Sequence, residues 1–459
     1  MKKHLSLFFL FALYLNGFSQ QNRPNIIFIL TDDHRWDALG FAGNPIIQTP
    51  EMDRLAAEGI YYENAFVTTP ICAASRASIL TGLYERTHGY TFGQGEIKEP
   101  YINQSYPIHL RKAGYFTGFF GKFGVNYAGF EKLFDQGDSY DRNGKFDDRR
   151  GFFFKTLGKD TVHLTRYTGQ QAIDFIQHAP DQQPFMLSIS FSAPHAHDPA
   201  KLQYFWSPEY DTMYQNITIP DPLLKEDFYF QAQPAFVRNG ESRKRWHWRF
   251  DTPEKYQHSV KGYYRMISEV DAEIGKIRKI LEERGLADNT VIIFMGDNGY
   301  FLGERQLAGK WLMYDNSLRV PLIVFDPRKE GGKRNNDFAL NIDVTATILD
   351  LAGAKAPKTW QGISLNSAAL AKRKEFLAEH LWQTPIIPPS EAIRTERWKY
   401  LRYINDPTHE ELYDLQVDPL EINNLIADPK HQKLISQLRQ NLEKKVEGYV
   451  RARVKKTVE

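Results

Sequence analysis

Four short apolar runs constrain this chain more than any other feature, because each is unbroken and each stops at a cluster of polar residues. Asn25-Ile-Ile-Phe-Ile-Leu30 ends in Thr31-Asp32-Asp33, and Val291-Ile-Ile-Phe-Met295 ends in Gly296-Asp297-Asn298-Gly299. Pro184-Phe-Met-Leu-Ser-Ile-Ser-Phe191 ends in Ser192-Ala-Pro-His195, and Val320-Pro-Leu-Ile-Val-Phe325 is the fourth. A run with no polar alternation has no face for water, so it predicts a strand covered on both sides. Helical patterns lie between the runs. Thr49 to Glu58 opens with a cap residue and a first-turn proline and closes at Gly59. Tyr263 to Arg284 carries Met266, Ile267, Val270, Ile274, Ile277 and Leu281 at helical period. Strands alternating with helices predict an α/β fold with a mostly parallel central sheet flanked by helices. Ligands collect at the carboxyl ends of such strands, where this reading places Asp32, Asp33, His195, Asp297 and Asn298.

The remainder divides around this frame. Residues 135–159 are polar and Gly-rich, while 206–258 are aromatic and Pro-rich without clear period. Both read as long excursions forming walls of a substrate cleft. After about Gly353 the strands shorten to Trp398–Tyr403 and Glu411–Leu415, followed by an amphipathic helix over roughly 429–447. The expected organisation is therefore a leader over 1–19, a catalytic domain over 20–353 and a smaller C-terminal α+β subdomain over 354–459. With 58 Lys and Arg against 56 Asp and Glu, the net charge of +2 supplies no general field for nucleic acid. An anionic substrate must be held by a local cluster of cations.

The first 19 residues have a basic start, an apolar stretch from Leu5 to Leu15 and small residues at Gly17 and Ser19, the form of a secretory signal. About 11 apolar residues fall short of the roughly 20 that span a bilayer, so export to the periplasm or medium is expected, with no membrane anchor. Exported chains commonly pair their cysteines, yet this one has a single Cys, at position 72.

The neighbourhood of Cys72 argues that the thiol is chemical. Arg76 follows four residues later, then Ala-Ser-Ile-Leu-Thr-Gly82 with helical character. One turn places both groups at a helix N-terminus, which attracts anions and also activates thiolates, so a cysteine hydrolase remains open on these residues alone. Asp32, Asp33, Asp297 and Asn298 offer hard oxygen donors from two strand ends, suiting Ca²⁺ or Mg²⁺.

Cys72-Ala-Ala-Ser-Arg76 with Leu80-Thr-Gly82 resembles the modification motif of the type I sulfatases, in the alkaline-phosphatase-like superfamily, where Cys-x-Pro/Ala-x-Arg precedes Leu-Thr-Gly. Gly114-Tyr-Phe-Thr-Gly-Phe-Phe-Gly-Lys122 resembles the second signature. Pro24 to Asp33 and Gly296 to Gly299 resemble the two metal-binding turns, and the likeness runs from about Arg23 to Leu425, including Glu411-Leu-Tyr-Asp-Leu-Gln-Val-Asp-Pro419. The resemblance implies a sulfuric ester hydrolase in which Cys72 is oxidised to formylglycine by a formylglycine-generating or anaerobic maturation enzyme. It implies one Ca²⁺, with Mg²⁺ less favoured, held by Asp32, Asp33, Asp297, Asn298 and the modified residue 72. Arg76, Lys122 and Lys310 would clamp the sulfate, and His195 would contact the ester and protonate the leaving alcohol.

One position departs from that pattern. Family members continue Gly-Lys-Trp-His after the second signature, and that histidine hydrogen-bonds the formylglycine; here Gly124 stands in its place. His88 or a metal-bound water would then take over. For substrate, export and the aromatic residues of the 206–258 region, Trp206 and Arg243 to Arg249 among them, suit a sulfated oligo- or polysaccharide of the ulvan or carrageenan type, or a glycosaminoglycan. A phosphodiesterase or phosphonate hydrolase of the same superfamily and a non-catalytic sulfated-glycan-binding protein are the competing readings.

Overall fold

The first apolar run becomes the strand β1 (Asn25–Thr31), buried along its whole length between two layers of helices. The computed structural model describes residues 23–140, 153–198 and 200–454, so the predicted leader and part of the first excursion lie outside the described residues. Seven further strands complete the main sheet: β2 (Ile60–Tyr62), β3 (Phe116–Gly121), β4 (Gln136–Ser139), β5 (Phe185–Ser190), β6 (Thr290–Gly296), β7 (Leu322–Phe325) and β8 (Lys333–Asn335). Their spatial order is β8-β2-β7-β6-β1-β5-β3-β4. All neighbours are parallel except β7, which runs against both β6 and β2.

Alternating side chains of β1 serve opposite cores. Ile27 and Ile29 join the core containing the helices α1 (Pro50–Glu58), α3 (Leu164–His178) and α5 (Pro253–Glu283), through Leu55, Phe175 and Ile274. Ile26, Phe28 and Leu30 join the core containing α2 (Cys72–Thr81) and α6 (Asn341–Leu351), through Ala77 and Ile348. This double burial is the reason the runs carry no polar alternation.

Register sets the functional end. Thr31 pairs with Gly296, Leu30 with Ser190, and Gly121 with Ser190, so β1, β6, β5 and β3 finish at one level. The residues that follow each strand are thereby gathered into one layer.

The second predicted excursion is more ordered than its composition suggests. Helix α4 (Glu241–Arg249) falls inside it, and α5 begins ten residues before the predicted Tyr263 because Thr252 caps it and Pro253 opens it. Helix α4 buries only Glu241, Ser242 and Arg249, too few and too polar to show an apolar period. Trp206 packs against α5, with Arg265 4.6 Å from its ring centre and its Nε1 donating to Asp211 at 2.7 Å. The ring is partly buried against the body of the protein.

The C-terminal strands β9 (Glu375–His380), β10 (Ser390–Thr395), β11 (Trp398–Tyr403) and β12 (Asp406–Asp414) form an antiparallel meander. Helix α7 (Gln432–Arg451) lays Ile435, Leu438 and Leu442 on it. This α+β subdomain shares its core with the larger body: Phe376 lies 5.1 Å from Phe66, and the Glu379 N–H donates to the Thr68 carbonyl at 2.8 Å. Among the described residues no helix is long and apolar enough to cross a membrane.

Candidate active site

Helix α2 begins at Cys72 beneath the carboxyl ends of the sheet and is buried at every position. One turn in, Arg76 reaches back to the strand ends. Its Nε donates to Asp297 Oδ2 at 2.8 Å, and its Nη1 donates to the Lys122 carbonyl and to Ser190 Oγ, each at 2.6 Å. The Ser190 hydroxyl in turn donates to the Lys122 carbonyl at 2.7 Å. One guanidinium therefore ties together the ends of β3, β5 and β6.

Around it the remaining charges alternate. Lys122 pairs with Asp32, and Lys310 pairs with Asp33 while lying 3.9 Å from Asp32. The Asp33 N–H donates to Asp297 Oδ1 at 3.0 Å, and Asn298 Nδ2 donates to Asp33 Oδ1 at 2.7 Å. Asp33 adopts a left-handed backbone, φ 66°, which an Asp tolerates better than most residues, and the Tyr263 hydroxyl donates to its carbonyl at 2.7 Å. His195 Nε2 stands 3.6 Å from Asp33 Oδ2. Its Nδ1 lies against the Ala196 carbonyl, and a carbonyl can only accept, so Nδ1 carries the hydrogen and Nε2 faces the cluster.

All nine predicted site residues are thus buried in this layer. The carboxylates of Asp32, Asp33 and Asp297 balance the cations of Arg76, Lys122 and Lys310. Burial, and behind it the charge of Asp32, pushes the Asp297 carboxyl well above the usual range despite Arg76 and Lys310. Burial would depress Lys310, but Asp33 and then Cys72 and Asp32 outweigh it and hold the ammonium firmly charged.

The donor set suits a hard divalent cation. Ligand atoms of Asp32, Asp33 and His195 lie within 4.8 Å of one another, and Asp33 Oδ2 and Asn298 Oδ1 are buried oxygens with no hydrogen-bond partner. Such oxygens cost free energy unless a cation or donor meets them. A divalent ion would also leave the otherwise neutral cluster at a net charge of about +2, which favours a sulfate monoester.

Gly124 has a structural reason to be glycine. Its φ is +70°, and a Cβ there would stand 2.6 Å from Arg76 Cδ. A histidine would displace the guanidinium that joins the strand ends, so the departure from the family pattern is built into the backbone. His88 does not fill the role expected of it. Its Nδ1 accepts the Tyr90 N–H at 3.0 Å, its Nε2 faces Ser78 Oγ at 3.0 Å, and burial lowers its pKa to about 3.

Three neighbours of the site escape sequence reasoning. Ser190 ends a strand like many serines, Tyr263 sits inside a long helix, and Tyr90 is a buried tyrosine whose hydroxyl accepts the Asn126 N–H at 2.7 Å and senses the charge of Cys72. None has a local motif.

A doubly wound sheet whose strand ends present paired carboxylates to a helix N-terminus defines a hydrolase of the alkaline-phosphatase-like superfamily. Within it, the chain belongs to the sulfatase family, whose model matches residues 24–354, and it is a sulfuric ester hydrolase. A second model, N-sulphoglucosamine sulphohydrolase, C-terminal, matches residues 303–448. The chain is 27% identical to an N-acetylglucosamine-6-O-sulfatase of Bacteroides thetaiotaomicron, covering 94% of this chain and 87% of that one. It is 27% identical to an ulvan-active sulfatase of Formosa agariphila, covering 93% and 82%. A solved structure in complex with its substrate D-glucosamine-2-N,6-O-disulfate superposes with a TM-score of 0.80 at 25% identity, covering 93% of this chain and 98% of that one.

Proposed function

We propose that this protein is an exported enzyme that removes sulfate from a sulfated oligo- or polysaccharide, using a formylglycine formed from Cys72. The observation that carries the reading is the buried alternation of Asp32, Asp33 and Asp297 with Arg76, Lys122 and Lys310 around Cys72. Asp32, Asp33, Asp297 and Asn298 would hold the divalent ion, for which Ca²⁺ is the first choice, and its charge would lower the cost of forming an oxyanion next to sulfur. A formylglycine at residue 72 would supply a hydrated aldehyde, a nucleophile whose second hydroxyl offers a way back to the aldehyde that no Ser or Cys can match.

The chain's own groups do the rest. Arg76, Lys122 and Lys310 are preorganised donors that gain strength as charge spreads over the equatorial sulfuryl oxygens. His195, with Nδ1–H held on the Ala196 carbonyl, would enter the reaction as the imidazolium beside Asp33 and deliver the proton of Nε2 to the departing sugar oxygen, leaving the neutral ring. Burial of the whole cluster excludes bulk water and raises the effect of each charge.

The relatives named above act, by their names, on N-acetylglucosamine-6-sulfate and on ulvan, which supports a sulfated sugar as the substrate class. Algal polymers of the ulvan or carrageenan type are the preferred members, with glycosaminoglycan fragments next. The decisive assay is sulfate release from a panel of such oligosaccharides, with the mass of the peptide carrying residue 72 measured on the same preparation. Release by a protein whose residue 72 is an unmodified thiol would overturn the mechanism.

A further inference from the structure

The charged cluster accounts for the sulfate but offers no apolar surface to the sugar that carries it. Such a surface stands at the rim. Phe92 is 40% exposed, and its ring centre lies 5.3 Å from that of the half-buried Trp382. Trp382 belongs to the connection between β9 and β10. It packs on a small apolar cluster of Ile71, Ala74, Trp311 and Ile387. Ile71 immediately precedes Cys72, and Trp311 immediately follows Lys310, so this cluster is continuous with two residues of the charged site. The connection is also fastened from outside, where the Glu241 N–H of α4 donates to the Ile386 carbonyl at 2.9 Å.

We propose that Phe92 and Trp382 are a stacking platform for a pyranose ring of the substrate, which makes them specificity-determining residues of the reaction proposed above. The inference rests on that reading of a sulfated sugar. A pyranose has an apolar C–H face and a hydroxyl edge, and it binds where aromatic faces adjoin fixed polar groups. The polar groups are present: Arg245 lies 4.7 Å from the Trp311 ring centre and pairs with Asp198 at 3.0 Å, on the loop that carries His195. Arg245 and Asp198 offer a donor and an acceptor to vicinal hydroxyls, while the aromatic pair orients the ring so that only one ester oxygen reaches residue 72. Phe92 leaves two fifths of its surface to solvent, so its ring is open to a ligand. Because Trp382 comes from the C-terminal subdomain, that subdomain contributes directly to sugar selection.

The test compares Phe92→Ala, Trp382→Ala and Trp382→Phe with the mature enzyme. The readouts are KM and kcat on a sulfated oligosaccharide that the wild type desulfates, the inhibition constant of inorganic sulfate, and the melting temperature. The expected result is a rise in KM of about tenfold for each alanine variant, recovery to within about threefold in Trp382→Phe, and no change in the sulfate inhibition constant. Unchanged KM in both alanine variants would overturn the platform, as would a parallel weakening of inorganic sulfate in Phe92→Ala, which would mark a merely structural role. Phe92 is surface-exposed, so its variant remains informative if Trp382→Ala folds poorly. Failure of the wild type to desulfate any oligosaccharide would instead remove the functional reading itself.

Discussion

The segment from Ala308 to Leu318 feeds two buried charge clusters that are finished in opposite ways. At its start Lys310 enters the strand-end layer, where Asp33 Oδ2 and Asn298 Oδ1 are buried without a hydrogen-bond partner. At its end Tyr314 and Asp315 enter a network with the C-terminal sheet. There Lys399 pairs with Asp315 and, at 2.5 Å, with Glu421, whose Oε2 accepts the Asp315 N–H at 2.9 Å. Glu411 accepts the hydroxyls of Tyr314, Tyr403 and Tyr413 at 2.9, 3.3 and 2.7 Å. No buried polar atom of Lys399, Asp315, Glu411 or Glu421 lacks a partner. Burial alone would raise Asp315, but Lys399 and Arg394 hold its carboxyl below the usual range, whereas Asp297 is pushed above it. A closed network locks the subdomain onto the body. An open one keeps acceptor capacity for a ligand, at a cost to stability that function explains.

The contrast predicts that substitutions in the open cluster strike turnover and those in the closed one strike folding. Cys72→Ala should have the largest effect, at least about 10⁴-fold in kcat with the melting temperature nearly unchanged, because it removes the sulfur without which the proposed aldehyde cannot form. Lys310→Ala should cost about 10²- to 10³-fold in kcat, the range for losing one preorganised charge donor. Lys399→Met leaves two carboxylates buried without their cation and should destabilise by about 3–5 kcal/mol in denaturant titration. The folded fraction should keep kcat/KM within about twofold. Loss of turnover without loss of stability in Lys399→Met would break the comparison.

Metal affords a sharper version that needs no turnover. Added Ca²⁺ should raise the melting temperature of the wild type, by the equivalent of about 2.7 kcal/mol at a hundredfold excess over Kd. Asn298→Ala should lose most of that shift, and Lys399→Met should retain it. An equal shift in all three proteins would place the ion elsewhere.

How much of this was legible in the sequence follows from how local each cause is. The strands and their acidic ends could be read because burial on both faces forbids polar alternation, and the Cys72 to Arg76 spacing is one helical turn. The start of α5 at Pro253 was hidden because its first turns bury Tyr256, Ser259, Val260 and Gly262, a single aliphatic residue rather than a stripe, although Thr252-Pro253 carried a capping signal. Helix α4 was hidden by its charge. Ser190, Tyr263 and Tyr90 acquire their roles from partners far along the chain, so no window of sequence contains them. Gly124 was visible as a departure, but its reason was not, because Arg76 lies across the fold from it in sequence. The closed network around Lys399 and Glu411 had no motif beyond the Glu411-Leu-Tyr-Asp stretch, since it joins three separate segments.

A further buried carboxylate, outside both clusters, sharpens the comparison by titration. Glu85 Oε2 accepts the Thr69 hydroxyl at 2.7 Å, three residues before Cys72, and burial followed by the charge of Glu379 raises its pKa to about 8. The unfolded chain ionises this residue near pH 4.5, so between about 4.5 and 8 the native state keeps a proton that the unfolded state has lost. Stability therefore falls as pH rises through that window and levels off above it, with no contribution below it. Glu85→Gln keeps the neutral form at every pH and should flatten this slope. Its melting temperature should match the wild type at pH 4 to 4.5 and exceed it by several degrees at pH 8. A variant that melts lower than the wild type at both pH values would show that Glu85 is ionised in the native state and belongs with the closed network.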